Sequence, residues 1–143
     1  MTIKLTAAEL REVFGDHDPT QFEEEAQQRW GDTGAYAESR RRTSSYTKAD
    51  WTRHAAESED IELAFLAAMQ EGLSAESVDA KRTAERHRVL IDTWFYPCSH
   101  EMQTGLPEMY IADPRFSQHY EERAVGLAAY VHDAIVANAL DHL

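Results

Sequence analysis

Seven histidines and one cysteine are the residues of this chain suited to nucleophilic, acid–base or metal chemistry, and their spacing supports little of it. His100–Glu101 matches the opening of the helical His-Glu-x-x-His zinc motif, but Thr104 stands where the second histidine belongs. No Asp or Glu lies three residues before any histidine, so the Glu-x-x-His pairs of four-helix di-iron proteins are missing. One cysteine excludes an internal disulfide and a multi-cysteine zinc centre. His54, His119, His132 and His142 are scattered and read as solvated. No metal and no cofactor is expected. The six glycines make neither a phosphate-cradling loop nor a dinucleotide fingerprint, and Gly31–Asp32–Thr33–Gly34 reads as a turn. A Gly-x-Ser-x-Gly elbow does not occur.

Two side chains keep open alternatives. His87 shares an apolar stripe with Ile91 and Trp94, as a paired core histidine or as a polar contact in a cavity. Cys98 sits on a face with Met102 and Leu106, where cysteine behaves as an inert small hydrophobe. The other possibility is a thiol activated at a helix start just after Pro97. Phe95, Tyr96, Met102, Met109 and Tyr110 suit an apolar groove for bulky ligands, because Met re-packs and rings give area at small entropic cost. The same stripe also reads as plain core.

The elements that must position these residues are helical. Thr6–Glu9 spells a capping box with Leu5 and Leu10 as its staple, and Gly15 stops that helix. Asp18 before Pro19 marks a second start. Thr47–Asp50, stapled by Tyr46 and Trp51, opens a helix that runs to about Glu71 and halts at Gly72. Ser74 is the expected cap of a helix reaching Tyr96. A break is expected at Gly105 and Pro107, then a helix starting at Asp113–Pro114 and a last one from Gly126 to Leu143. The apolar stripes are Ile61, Phe65, Ala68, Met69; then Ala80, Ala84, His87, Ile91, Trp94; then Leu127, Tyr130, Val131, Ala134, Ile135 and Asn138. The chain of 143 residues suits one all-α domain, long enough to bury about 70% of its unfolded surface. A net charge of −12 is the wrong sign for following a phosphate backbone, so no direct nucleic-acid binding is expected. Arg40–Arg42 reads as a solvated helix face. Neither a leader-like start nor an apolar run of bilayer length is present; the expectation is a cytoplasmic protein with no membrane contact.

Between Asp16 and Asp60 there is no Val, Ile, Leu or Met, and the large apolar side chains are Phe22, Trp30, Tyr36, Tyr46 and Trp51. Ordering each residue costs about 1–2 kcal/mol of backbone entropy, which a few spaced rings at about 2–3 kcal/mol each do not offset. This stretch must dock elsewhere, permanently or on a ligand. The expected division is a mobile aromatic lid over 1–56 and a stable helical core over 57–143.

Several strings recur together in one known order: Phe14–Gly15–Asp16, Arg29–Trp30–Gly31–Asp32, Tyr46 to Trp51, Trp94 to Met102, Glu108 to Phe116, and Gly126 to Tyr130. In this the chain resembles the TipAS family of antibiotic-recognition domains from about Leu5 to Ala139. The resemblance implies a globin-like all-α domain that binds bulky antibiotics, notably thiopeptides, without catalysis. It implies cleft positions at Trp30, Tyr36 and Tyr46 on a lid that folds over the ligand, with His87, Ile91, Met102, Leu106, Met109 and Tyr110 beneath. Phe95, Tyr96 and Cys98 complete the candidate site. Relatives capture a dehydroalanine of the drug on a cysteine about two turns beyond Cys98, where this chain has Gly105, so reversible binding is expected. The helix-turn-helix and coiled coil of longer relatives are not in this sequence, which reads as a sensor without its reader or a sequestering protein. The rival readings are a small enzyme using His87 and Cys98, and a module whose aromatic segment folds on a protein partner.

Overall fold

Thr6 and Glu9 close both halves of their capping box in the computed structural model of the chain: Glu9 N–H donates to Thr6 Oγ1 at 3.1 Å and Thr6 N–H to Glu9 Oε1 at 2.9 Å. The structure describes residues 3–15 and 19–143, apart from the side chains of residues 21, 22, 109–111, 115 and 116. Among the described residues there are eight α-helices and no strand. They are α1 (Ala7–Phe14), α2 (Glu23–Trp30), α3 (Gly34–Thr43), α4 (Lys48–Gln70), α5 (Val78–Trp94), α6 (His100–Ala112), α7 (Pro114–Glu121) and α8 (Leu127–Leu140), with a 3-10 turn at Pro19–Phe22 before α2. None is long and apolar enough to cross a membrane. The expected cap at Asp18 lies outside the described residues.

Most stops and starts fall where side-chain chemistry puts them. Gly72 ends α4 at φ +78°, with Leu73 N–H reaching back to Ala68 O at 3.0 Å, a Schellman closure that needs the left-handed residue. Thr47 N–H donates to Asp50 Oδ2 at 2.9 Å to open α4, and Pro114 begins α7 directly after Asp113. The string Gly31–Gly34 holds a cap as well as a turn. Thr33 Oγ1 accepts from Tyr36 N–H at 3.1 Å and starts α3.

Three boundaries differ from expectation. Helix α5 starts at Val78, not after Ser74, because Ser74 Oγ closes only a local turn to Glu76 N–H at 3.1 Å while Ser77 Oγ takes Ala80 N–H at 3.2 Å. It ends at Trp94, two residues before Tyr96, since the residue preceding Pro97 is steered away from helical backbone. Helix α6 runs unbroken through Gly105 and Pro107; the proline ring is fully buried, which offsets part of its cost of about 3 kcal/mol.

Contacts divide the chain into two units, residues up to Ser58 with Ile91–Pro97, and Glu59–Leu90 with Cys98–Leu143. The second unit has an aliphatic and small-residue core. Ile61, Phe65 and Ala68 from α4, Ala80 and Ala84 from α5, and Leu127, Val131, Ala134 and Ile135 from α8 are buried. Helix α6 packs on α8 and on α7. The α6 stripe is a correction. Gln103 and Pro107 are the fully buried positions, whereas Met102 is 44% exposed and Leu106 half-buried. The interior of the first unit is built around the ring of Trp51 at 1% exposure, with Tyr36, Trp94, Ile91, Ser39 and Thr43 also buried.

Candidate functional site

Tyr46, the residue before the α4 cap, stands edge-on to Trp51 at 5.4 Å and to Trp94 at 5.3 Å, all within the first unit. Its hydroxyl donates to Trp94 O, and burial pushes its pKa up. Phe95 lies 6.2 Å from Trp51, and Phe14 from α1 reaches the same indole at 5.8 Å. Edge-to-face geometry puts ring hydrogens on π faces and adds about 0.5–1.5 kcal/mol per pair beyond burial. Arg53 caps the cluster with its guanidinium 5.2 Å from the Trp94 ring, and Trp94 Nε1–H donates to Glu57 Oε2 at 2.9 Å.

His54 belongs to this cluster, not to solvent as its isolation in sequence suggested. Its ring meets Trp94 at 5.3 Å, Phe95 at 5.1 Å and Trp51 at 5.7 Å. Burial drives its pKa down to about 4, opposed by Glu57. Its Nδ1 and Trp51 Nε1 are buried without a hydrogen-bond partner among the described residues. Arg42 corrects the solvated-face reading of Arg40–Arg42. Half-buried, it pairs with Glu38 at 2.9 Å and donates to Asp92 O at 2.7 Å, fastening α3 to the end of α5 inside the first unit. Tyr36 is buried and turned to Glu23, its hydroxyl donating to Oε1 at 3.1 Å. Trp30 is 36% exposed, with Arg29 5.8 Å over its ring. Ile91 is buried and Tyr96 half-buried.

In the second unit, His87 is a paired histidine. Its Nδ1 accepts from Gln103 Nε2 at 2.9 Å, and desolvation holds its pKa down to about 4, against the pull of Glu62. Gln103 also donates to Ala84 O at 2.8 Å, which is why a glutamine is wholly buried on α6. Hydrophobic pattern reading misses such a residue because its burial depends on partners in another helix. Cys98 is 2% exposed, its thiol donating to Ser99 O at 3.6 Å and its carbonyl held by Arg88 Nη1 at 2.8 Å. That is the inert alternative for the cysteine. The side chains of Met109 and Tyr110 lie outside the described residues.

His119 and His132 also leave the solvated class. His119 Nε2 meets Glu62 Oε1 at 2.7 Å, a hydrogen bond that raises its pKa, and Arg123 pairs with the same carboxylate at 2.9 Å. His132 is raised by its hydrogen bonds to Asp133 and Glu108. A groove of about 260 Å³ between α4 and α5 has an alanine floor at Ala64, Ala67 and Ala68 and a charged rim at Glu71, Asp79, Arg82 and Arg86. It contains none of the candidate ligand-contact residues named from the sequence.

Comparison with known proteins places these features in a family. The chain is 48% identical to the HTH-type transcriptional activator TipA of Streptomyces coelicolor over 99% of its length, and to that of Streptomyces lividans equally. It is 32% identical to the activator mta of Bacillus subtilis over 69% of its length. It spans 56% of the length of each TipA protein. Among solved structures, TipAS of Streptomyces lividans in complex with nosiheptide superposes with a TM-score of 0.90 at 48% identity over 99% of both chains. The antibiotic-binding domain of a TipA-class multidrug resistance transcriptional regulator gives 0.60 at 42% identity, covering 64% of this chain and 98% of the other. The sequence model of the TipAS antibiotic-recognition domain matches residues 22–138. With that match along most of its length, on an all-helical, globin-like fold, this chain belongs to the TipAS antibiotic-recognition domain family.

Proposed function

We propose that this chain binds bulky, largely apolar antibiotics of the thiopeptide class reversibly and without catalysis, and that its ring-bearing first unit gains order when it does so. The carrying observation is its likeness along 99% of its length to a domain solved in complex with nosiheptide. Side-chain chemistry supports the reading. Trp30 and Met102 keep a third or more of their surface in water, apolar area that a ligand would cover. In the first unit the candidate contacts are Trp30, Tyr36, Tyr46, Ile91, Phe95 and Tyr96. In the second they are His87, Cys98, Met102, Leu106, Met109 and Tyr110. The buried Cys98 thiol and the glycine at 105 support reversible capture. At a net charge of −12 the domain supplies the ligand contacts, and any DNA contact falls to other protein.

Nosiheptide added to the full chain is expected to raise its melting temperature, to slow amide exchange within Asp16–Trp51, and to be recovered unchanged. Intact mass should show no adduct. A Tm that does not move at saturating drug rejects the binding proposal. Binding with unaltered exchange in that window rejects only the ordering of the first unit. A chemically altered drug would restore the enzyme reading.

A further inference from the structure

We propose that Glu85, His100 and His142 form a binding site for one divalent transition-metal ion of the zinc class, closing the C-terminal turn onto α5 and α6. The three residues come from the middle of α5, the first turn of α6 and the turn after α8, all within the second unit. One donor atom from each lies within 4.8 Å of the others. Nothing in the sequence spacing suggests this, because the donors meet only when the three helices pack.

Each donor is prepared for a metal in a different way. Asn138 O lies 2.8 Å from His142 Nδ1, so that nitrogen donates its hydrogen to the carbonyl and Nε2 is left as the bare lone pair. Metal-bound histidines usually have this outer bond, since it fixes tautomer and ring direction. His100 Nε2 and Glu85 Oε1 stand 2.8 Å apart, and the two imidazoles stack at 4.1 Å with 10° between their planes. Two rings stacked in this way cannot both aim their in-plane lone pairs at one ion, so the exposed His142 ring turns out of the stack to bind. An ion with bonds of about 2.0–2.2 Å to nitrogen and oxygen fits between His100 and Glu85 once that pair opens by about half an ångström and His142 has turned toward it.

The carboxylate is held for the purpose. Arg88 grips Glu85 Oε2 at 2.7 Å and Asn138 Nδ2 reaches Oε1 at 3.1 Å. These two bonds fix the position of the carboxylate. Lys81 pairs with Asp141 at 2.5 Å and steadies the turn that bears His142. Two imidazoles and one carboxylate select zinc, cobalt or nickel over magnesium and calcium, and leave a fourth position for water. The nearby Arg88 charge argues for moderate affinity, and the chain's net charge of −12 attracts the cation.

Titration of the metal-free full chain with Zn²⁺ against a chromophoric chelator tests the site. One ion per chain is expected, with a zinc-dependent rise in Tm and visible bands of four-coordinate geometry when Co²⁺ replaces it. His142→Ala, at an exposed position, should keep the helical circular dichroism and weaken binding by at least about tenfold, with loss of the Tm rise. His100→Ala should do the same, and His132→Ala should change neither. No stoichiometric binding to the wild-type chain, undiminished binding in the His100→Ala/His142→Ala double variant, or a loss that follows His132→Ala would each overturn the proposal.

Discussion

The two units bury different chemistry. In the second, Leu127, Val131, Ala134 and Ile135 reach 0% exposure with side chains that ask nothing of their neighbours. In the first, buried Trp51 and Trp94 meet the half-buried rings of Tyr46, His54 and Phe95, with Tyr36, Ser39, Thr43 and Ile91 also buried, and rings of this kind carry N–H and ring-nitrogen groups inward. Tyr46 and Trp94 find acceptors, while Trp51 Nε1 and His54 Nδ1 have no partner among the described residues. Each buried unpaired polar group costs about 1–3 kcal/mol. Large rings therefore give the first unit its cohesion and also weaken it. In the second unit Gln103 Oε1 is likewise unpaired, but that side chain's two donor bonds tie α6 to α5. What differs is the margin: one interior depends on a handful of aromatic contacts, the other on many aliphatic ones.

The sharpest break in this comparison comes from paired truncations. Trp51→Ala should cost about 3–5 kcal/mol, and Ile135→Ala about 2–5 kcal/mol. Exchange mapping is expected to show the first loss confined to residues up to Ser58 and Ile91–Pro97, the second spread through the whole chain. Equal spread in both variants would mean that the two interiors do not open separately.

Acid gives the next largest effect. His54 has a folded pKa of about 4 against an ordinary 6.5, so its contribution is fully present above pH 6.5 and is lost as pH falls from there to about 4. That loss amounts to about 3 kcal/mol. His87 behaves alike in the second unit. His54→Phe should flatten the acid limb of stability for the first unit and leave that of the second, as read by urea unfolding at stepped pH. His119 has the opposite sign. Its raised pKa gives stability that is present below pH 6.5 and fades as pH rises through the folded value, so His119→Gln should matter most in mild acid.

Arg42→Ala removes a charged donor from Asp92 O and should cost about 1.5–3 kcal/mol, lost from the first unit alone. The smallest change is expected at Met102. Met102→Ala should leave stability within about 0.5 kcal/mol, since the side chain is 44% exposed, yet weaken nosiheptide binding in a fluorescence titration. A Met102→Ala protein with full drug affinity would remove that residue from the candidate contacts.

Much of this was legible in sequence because helix ends are local chemistry. Thr6 with Glu9, Thr47 with Asp50, Gly72 and Pro114 state their roles within a few residues, and the structure follows them. Ser74 misled since Ser77, three residues on, competes for the same role. The stripes on α4, α5 and α8 were readable from apolar spacing, and that on α6 was not, because Gln103 is buried only through Ala84 and His87. His54 and His119 looked solvated for a similar reason. The neighbours that take them out of water, Trp94 and Phe95 for His54 and Glu62 for His119, are far along the chain, and no periodicity records them.

The sequence by itself determined an all-helical chain, most helix ends, the aliphatic face of the second unit and the family. Tertiary structure alone decided which polar side chains lie inside and with whom: Gln103 with His87, Glu85 with His100 and His142, Tyr46 with Trp94. Helix formation is governed by neighbours within about one turn, whereas burying a polar group requires a partner whose position is set by the packing of another helix.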